Sequence, residues 1–241
     1  MKKNALRDPI VWIDCEMTGL DLVNDALIEV AVVITDSQLR PVDAGIDVVI
    51  APPEGAVEQM GDVVREMHTT SGLLVELPSG LTMAEAQEQV LTYIRRWVPE
   101  QRKAPLAGNS VGTDRSFLAR DMPELVEHLH YRIIDVSSIK ELARRWYPRA
   151  YFNSPAKNGG HRALADILES IDELRYYRAA LWPEGDGPDS PTVKAVAAEI
   201  ATQPTASIIA GLVDDVAPGP RRATVSTGET HATPPAPEAG L

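Results

Sequence analysis

A single cysteine, Cys15, rules out an intramolecular disulfide and leaves no thiolate set for a zinc site. No apolar run approaches the length needed to cross a bilayer, so no membrane anchor is expected. The first residues, Met1-Lys2-Lys3-Asn4 followed by Ala5-Leu6-Arg7-Asp8, lack the apolar core of a secretory leader, so a cytoplasmic location is expected. Positive charge is also short: 23 Lys and Arg stand against 35 Asp and Glu, a net charge of −12. That balance argues against a protein that grips long nucleic acid through a broad basic surface. It leaves open an enzyme that holds a short phosphodiester through bound cations, since cations reverse the local field.

What is present is ordinary for a globular protein. Hydrophobic residues make up 44% of 241 residues, enough for one substantial domain and a tail. Ile10–Met17 reads as a strand, and Ala26–Ile34 is a β-branched run suited to a central strand. Gly45–Ile50 is a third strand, closed by Pro52-Pro53, and the short links predict an antiparallel meander. Helices are expected over Glu54–Met67 and over Met83–Trp97, the latter behind a Thr82/Glu85 capping box, with a polar loop from His68 between them. Ala104–Ala107 is a short strand, followed by a helix Asp114–Arg120 capped by Thr113 and a second helix Pro123–Leu129. Tyr131–Val136 is a fifth strand, Ser137 or Ser138 caps a helix Ile139–Trp146, and Tyr147–Gly160 is a loop. His161–Leu181 is the last strongly amphipathic helix. The order β-β-β-α-β-α-β-α predicts an α/β fold with one mixed five-stranded sheet and helices on both faces. Ligands in such sheets sit at strand ends near a change of strand order.

Beyond Trp182 the composition shifts. Residues 183–241 hold 9 of the 19 prolines and −5 of the net charge, leaving −7 on residues 1–182. The tail is expected to be largely disordered apart from a short helix at Val193–Ala201.

The chemistry begins in the first strand. Residues two apart on a strand share a face, so Asp14 and Glu16 project together while Cys15 faces away. Two adjacent carboxylates on an apolar strand are costly unless neutralised, and their oxygens suit Mg²⁺ or Mn²⁺. Asp114 opens a helix after the turn Gly108-Asn109-Ser110, where a carboxylate also serves as a cap. His161 follows Asn158-Gly159-Gly160, and Asp166 lies five residues further on. Five residues of regular helix turn through about 500°, so a shared site requires His161 on the irregular segment and Asp166 on the helix proper. His128 and His130, two apart with no third ligand, are expected at the surface.

The stretches WIDCEMTGLD, GNSVGTDRSFL, MPELVEHLHYR and DVSSIKELARRW, with His161 and Asp166, resemble the histidine-bearing subgroup of the DEDD 3′→5′ exonucleases. Within that superfamily they look like an oligoribonuclease over about residues 10–182. The resemblance implies a ribonuclease H-like fold and hydrolysis of very short RNA, linear dinucleotides included, to mononucleotides. It implies two divalent cations, Mg²⁺ or Mn²⁺, held by Asp14, Glu16, Asp114 and Asp166, with Asp14 bridging and His161 as general base. It implies substrate contacts from Leu20, His68 and Ser110. It also implies a homodimer in which Tyr131 and Arg132 reach the neighbouring site, with Arg132 and Ser137 capping the 5′-phosphate. Aligned on Met60 and His68, the resemblance implies that Val63, or a neighbour if the register is shifted, stands where the family commonly carries a base-stacking tryptophan. The rival readings are a broader single-strand DNA or RNA 3′→5′ exonuclease and a non-catalytic nucleic-acid-binding module.

Overall fold

The computed structural model describes residues 6–156 and 160–214, with side chains to residue 209. Five strands, β1 (Ile10–Met17), β2 (Leu27–Thr35), β3 (Ile46–Val49), β4 (Pro105–Gly108) and β5 (His130–Asp135), form one sheet in the order β3-β2-β1-β4-β5. β3, β2 and β1 are antiparallel neighbours, while β4 and β5 join in parallel. The helices in chain order are α1 (Asp62–Thr70), α2 (Leu73–Glu76), α3 (Met83–Trp97), α4 (Gly112–Asp121), α5 (Pro123–His128), α6 (Val136–Trp146), α7 (Pro148–Phe152), α8 (Ala163–Leu181), α9 (Ser190–Thr202) and α10 (Thr205–Asp214). The expected mixed α/β sheet is the observed one. The chain divides into two compact units between Gly185 and Asp186.

The two central strands are apolar because both of their faces are covered. Val11, Ile13, Cys15 and Met17 of β1 pack with Val30, Val32 and Ile34 of β2 against α3, α4 and α5, through Val90, Ile94, Phe117, Leu118 and Leu125. Ile10, Trp12, Ala31 and Val33 face the other way, onto α6 and α8, through Val136, Ile167, Ile171 and Leu174. Trp12 is fully buried and donates its indole N–H to Thr35 Oγ1 at 3.0 Å. The even-numbered face of β1 therefore meets α8, and Asp14 and Glu16 lie on that face.

Several local expectations are corrected. The segment 54–60 is a series of turns, and α1 starts only at Asp62, because Gly55 sits at φ +81° and Pro52-Pro53 precede it. α1 runs past Met67, so His68 lies on a helix and is fully buried, not in a surface loop. α4 begins at Gly112, with Thr113 inside it, and α6 is capped by Asp135, whose Oδ1 accepts the Ser137 N–H at 2.9 Å. The segment expected to be a loop from Tyr147 contains α7, with Pro148 at its first position, where the missing N–H costs nothing. His128 is buried, one ring nitrogen 2.8 Å from the Val98 carbonyl. The capping box of α3 forms with both bonds present. In the second unit α9 covers the expected short helix, and α10 adds another where none was expected, over the apolar run Ile208-Ile209. Residues 215–241 of the expected disordered tail lie outside the described residues.

Candidate active site

Three elements bring carboxylates together. β1 presents Asp14 and Glu16 from one face, and the first turn of α8 presents Asp166. Each of the three offers an oxygen, and these oxygens lie within 4.8 Å of one another. Asp114, in the first turn of α4, reaches β1 from beyond its end: its Oδ1 accepts the Cys15 N–H at 3.0 Å. Gly108 permits this approach, since a Cβ there would sit 3.0 Å from the Ile13 carbonyl oxygen and 3.2 Å from the Val111 side chain.

The electrostatics are those of an acidic cluster short of cations. Asp14 is pushed up to about 9, first by loss of water around it and then by the negative charge of Asp114, Glu16 and Asp166. Glu16 is pushed up to about 8 by burial, then by Glu29 and Asp166, with Arg162 pulling the other way. Asp114 is raised to about 6 by burial, offset by the hydrogen bonds it accepts. Asp114 is the largest charge acting on Asp14. A compact all-oxygen donor set with raised pKa values fits hard divalent cations, which would replace the bound protons.

His161 stands two residues before α8, exposed, with φ +48°. It is off the regular helix while Asp166 is on it, the geometry that their five-residue spacing demands. His68 lies beneath the site. It donates Nε2–H to the Met17 carbonyl at 2.9 Å, and its Nδ1 is 3.9 Å from Glu16 Oε2. Burial holds His68 below its ordinary pKa, and nearby His161 adds to the depression.

The expected substrate contacts are less gathered. Leu20 is 77% exposed on the turn after β1. That turn is tied by Asp25, which accepts from Thr18 Oγ1 at 3.0 Å and from the Asp21 N–H at 2.8 Å. A Cβ on Gly19 would fall 2.3 Å from an Asp25 oxygen. Val63 is 81% exposed in the first turn of α1. Ser110 takes φ +51°, its N–H shared between Asp135 Oδ1 at 3.0 Å and Ser137 Oγ at 2.9 Å. Ser137 in turn donates to Asn109 Oδ1 at 3.0 Å. Tyr131 and Arg132 lie exposed on the edge strand β5, the guanidinium 5.4 Å from the ring centroid. Strand registers put Ile133 level with Val11, so Tyr131 is roughly 15 Å along the strands and about 10 Å across them from Asp14. Within one chain these two do not meet the carboxylates.

Sequence reasoning passed over Glu29, Arg162 and Glu76. Glu29 is fully buried and pairs in register with Glu16. Its signal was visible: it is the one ionisable residue in the nine-residue run of β2.

The exonuclease family model of RNase T type matches residues 11–174. The oligoribonuclease of Streptomyces griseus is 65% identical over 196 residues, covering 81% of this chain and 98% of that one. That of Leifsonia xyli is 59% identical over 199 residues, covering 83% and 96%. Among solved structures, exonuclease I of Methylocaldum szegediense superposes with a TM-score of 0.55 at 18% identity, covering 72% of this chain and 41% of that one. E. coli exonuclease I in complex with a dA16 oligonucleotide gives 0.53 at 13%, covering 73% and 42%. These likenesses carry the fold, and the chain spans less than half the length of those exonucleases. With relatives this similar over nearly their whole length, the chain belongs to the oligoribonuclease family of 3′→5′ exoribonucleases.

Proposed function

We propose that this exoribonuclease removes mononucleotides from the 3′ end of very short RNA, linear dinucleotides above all, with two divalent cations at the carboxylate cluster. The observation that carries the reading is the meeting of Asp14, Glu16 and Asp166 within 4.8 Å, with Asp114 bonded to the same strand and His161 exposed just ahead of the helix that carries Asp166. Two Mg²⁺ or Mn²⁺ ions, when bound, neutralise the phosphate and favour ionisation of the attacking water. Asp14, Glu16 and Asp166 would hold one ion, and Asp14 with Asp114 the other. A ring nitrogen of His161 takes the proton of the water as its oxygen attacks phosphorus. The bond from phosphorus to the 3′ oxygen breaks, that oxygen takes a proton from solvent water, and the products are a nucleoside 5′-monophosphate and a chain one residue shorter. A His, with an unperturbed pKa of about 6.5, suits that transfer near neutral pH.

Leu20 would pack against the terminal bases, with His68 and Ser110 near the scissile nucleotides. The second copy of the chain completes the site. Tyr131 and Arg132 are exposed and remote from their own carboxylates, and Ile133 of β5 and Leu142 and Trp146 of α6 are exposed as well. An isologous dimer through β5 and α6 would bring them to the neighbouring site, where Arg132 and Ser137 cap the 5′-phosphate. Such a cap blocks longer strands. Residues 1–182 form the catalytic domain in this reading. Among the described residues no helix is long and apolar enough to cross a membrane.

The test is cleavage of a 5′-labelled RNA ladder from two residues to about twenty. Fast loss of the dinucleotide with slow loss of longer RNA supports the capped site. Equal trimming of all lengths points instead to a broader single-strand exonuclease.

A further inference from the structure

Arg162 directly follows His161, and its guanidinium bridges two carboxylates. Nε donates to Glu29 Oε1 at 2.8 Å, and Nη2 lies 2.7 Å from the same oxygen. Nη1 donates to Glu76 Oε1 at 2.8 Å, and Nη2 to Glu76 Oε2 at 3.1 Å. Asp47 completes the cluster at 3.6 Å. The other oxygen of Glu29 accepts the Ala163 N–H at 2.9 Å, at the first residue of α8. One fully buried carboxylate of β2 therefore grips the two residues that follow His161. The Asp166 N–H bonds back to the Arg162 carbonyl at 3.1 Å, a helical backbone bond that does not involve the Arg162 side chain.

His161 needs such a fixture. It is exposed, its backbone is left-handed, and Gly160 before it imposes little constraint. Arg162 is committed to Glu29 and Glu76, which its Nε, Nη1 and Nη2 all already contact. We propose that Glu29, Arg162 and Glu76 act as a positioning latch that holds His161 over the carboxylate cluster. Glu29 fixes the start of α8 from the sheet, and Glu76 ties it to the helix that follows α1. The latch rests on His161 being the general base, and it makes Glu29 and Arg162 positioning residues that touch no substrate.

The experiment is a double-mutant cycle in the full chain, with dinucleotide hydrolysis, Mg²⁺ calorimetry and circular dichroism as readouts. Arg162→Met and Glu29→Gln are each expected to lower kcat about 10- to 100-fold through misplacement of the base. KM should change by less than about threefold, since substrate binding is untouched, and Mg²⁺ affinity should hold. In a His161→Ala background, Arg162→Met should cause no further loss. A loss of the same size in both backgrounds, or an unchanged kcat, overturns the latch. If Arg162→Met fails to fold, Arg162→Lys keeps a cation beside Glu29 but loses the fork to Glu76. Its smaller kcat loss must likewise vanish in the His161→Ala background, and a loss that persists overturns the proposal. His161→Ala alone, if fully active, removes the base reading itself and is read before the cycle is closed.

Discussion

Glu16 and Glu29 stand opposite each other in the register of β1 and β2, two buried acids paired across antiparallel strands. Like charges directly opposite are destabilising unless each has its own counter-charge. The fold separates their fates. Glu29 is matched by Arg162, while Glu16 turns into the acidic cluster, where Arg162 offsets part of its raised pKa. The pair marks the boundary between an internally neutralised layer and one that calls for cations from outside.

A pH dependence follows. Asp14 near 9 and Glu16 near 8 are protonated in the cation-free folded protein at neutral pH, whereas unfolded carboxyls ionise near 4. A raised folded-state pKa means that these groups favour the fold at low pH. That contribution is lost as pH rises through about 8 and 9. Thermal stability in chelator should therefore fall from pH 6 to pH 9, and Mg²⁺ should recover more of it at the higher pH. Calorimetry at pH 7 in buffers of different ionisation enthalpy should show protons released as Mg²⁺ binds. Binding without proton release would count against the raised values.

His161→Ala should lower kcat by about 10²- to 10⁴-fold, the usual range for a general base. Mg²⁺ affinity should stay within about threefold of the parent, because the carboxylate set is intact. Full activity would remove the assignment.

The frame was legible because its signals are local. Alternation in Ile10–Met17 placed Asp14 and Glu16 together, and the Thr82/Glu85 pair marked the start of α3. The five-residue gap from His161 to Asp166 forced a loop-to-helix junction, and α8 starts between them. What escaped depends on contacts across the chain. His68 is buried only because the Met17 carbonyl meets it from β1, 51 residues away in sequence. Glu29 finds Arg162 from 133 residues away. The early helix was placed too soon because Gly55 requires a left-handed backbone that spacing alone does not reveal.

Mixing two crippled chains tests the shared site. His161→Ala lacks its own base but can lend Tyr131 and Arg132 to its partner. A Tyr131→Ala/Arg132→Ala chain keeps its base but lends nothing. Subunit exchange between them should restore dinucleotide hydrolysis that neither shows alone, because an isologous pair rebuilds one complete site. No recovery in a mixture shown to exchange would place Tyr131 and Arg132 outside the partner's site.

Val63→Trp places an aromatic face on an exposed position of α1. Stacking on one base is worth about 1–3 kcal/mol, so dinucleotide KM should fall by about fivefold or more. An unchanged KM would mean that this helix face does not meet the bases.

Thr82→Ala should cost about 1 kcal/mol of stability, since Thr82 accepts the Glu85 N–H and forms the capping box of α3. Urea denaturation should register the loss while kcat remains that of the parent.

The most direct test of the account is the hydrolysis of a 5′-labelled RNA dinucleotide across a Mg²⁺ titration, for the parent chain and for Asp14→Asn. The account predicts a rate that rises to saturation with the cation and is abolished by chelator. Asp14→Asn should show almost no hydrolysis at any Mg²⁺ concentration, because in the proposed mechanism Asp14 would be shared between the two ions. Hydrolysis that persists in chelator, or an Asp14→Asn chain that turns over like its parent, would contradict it.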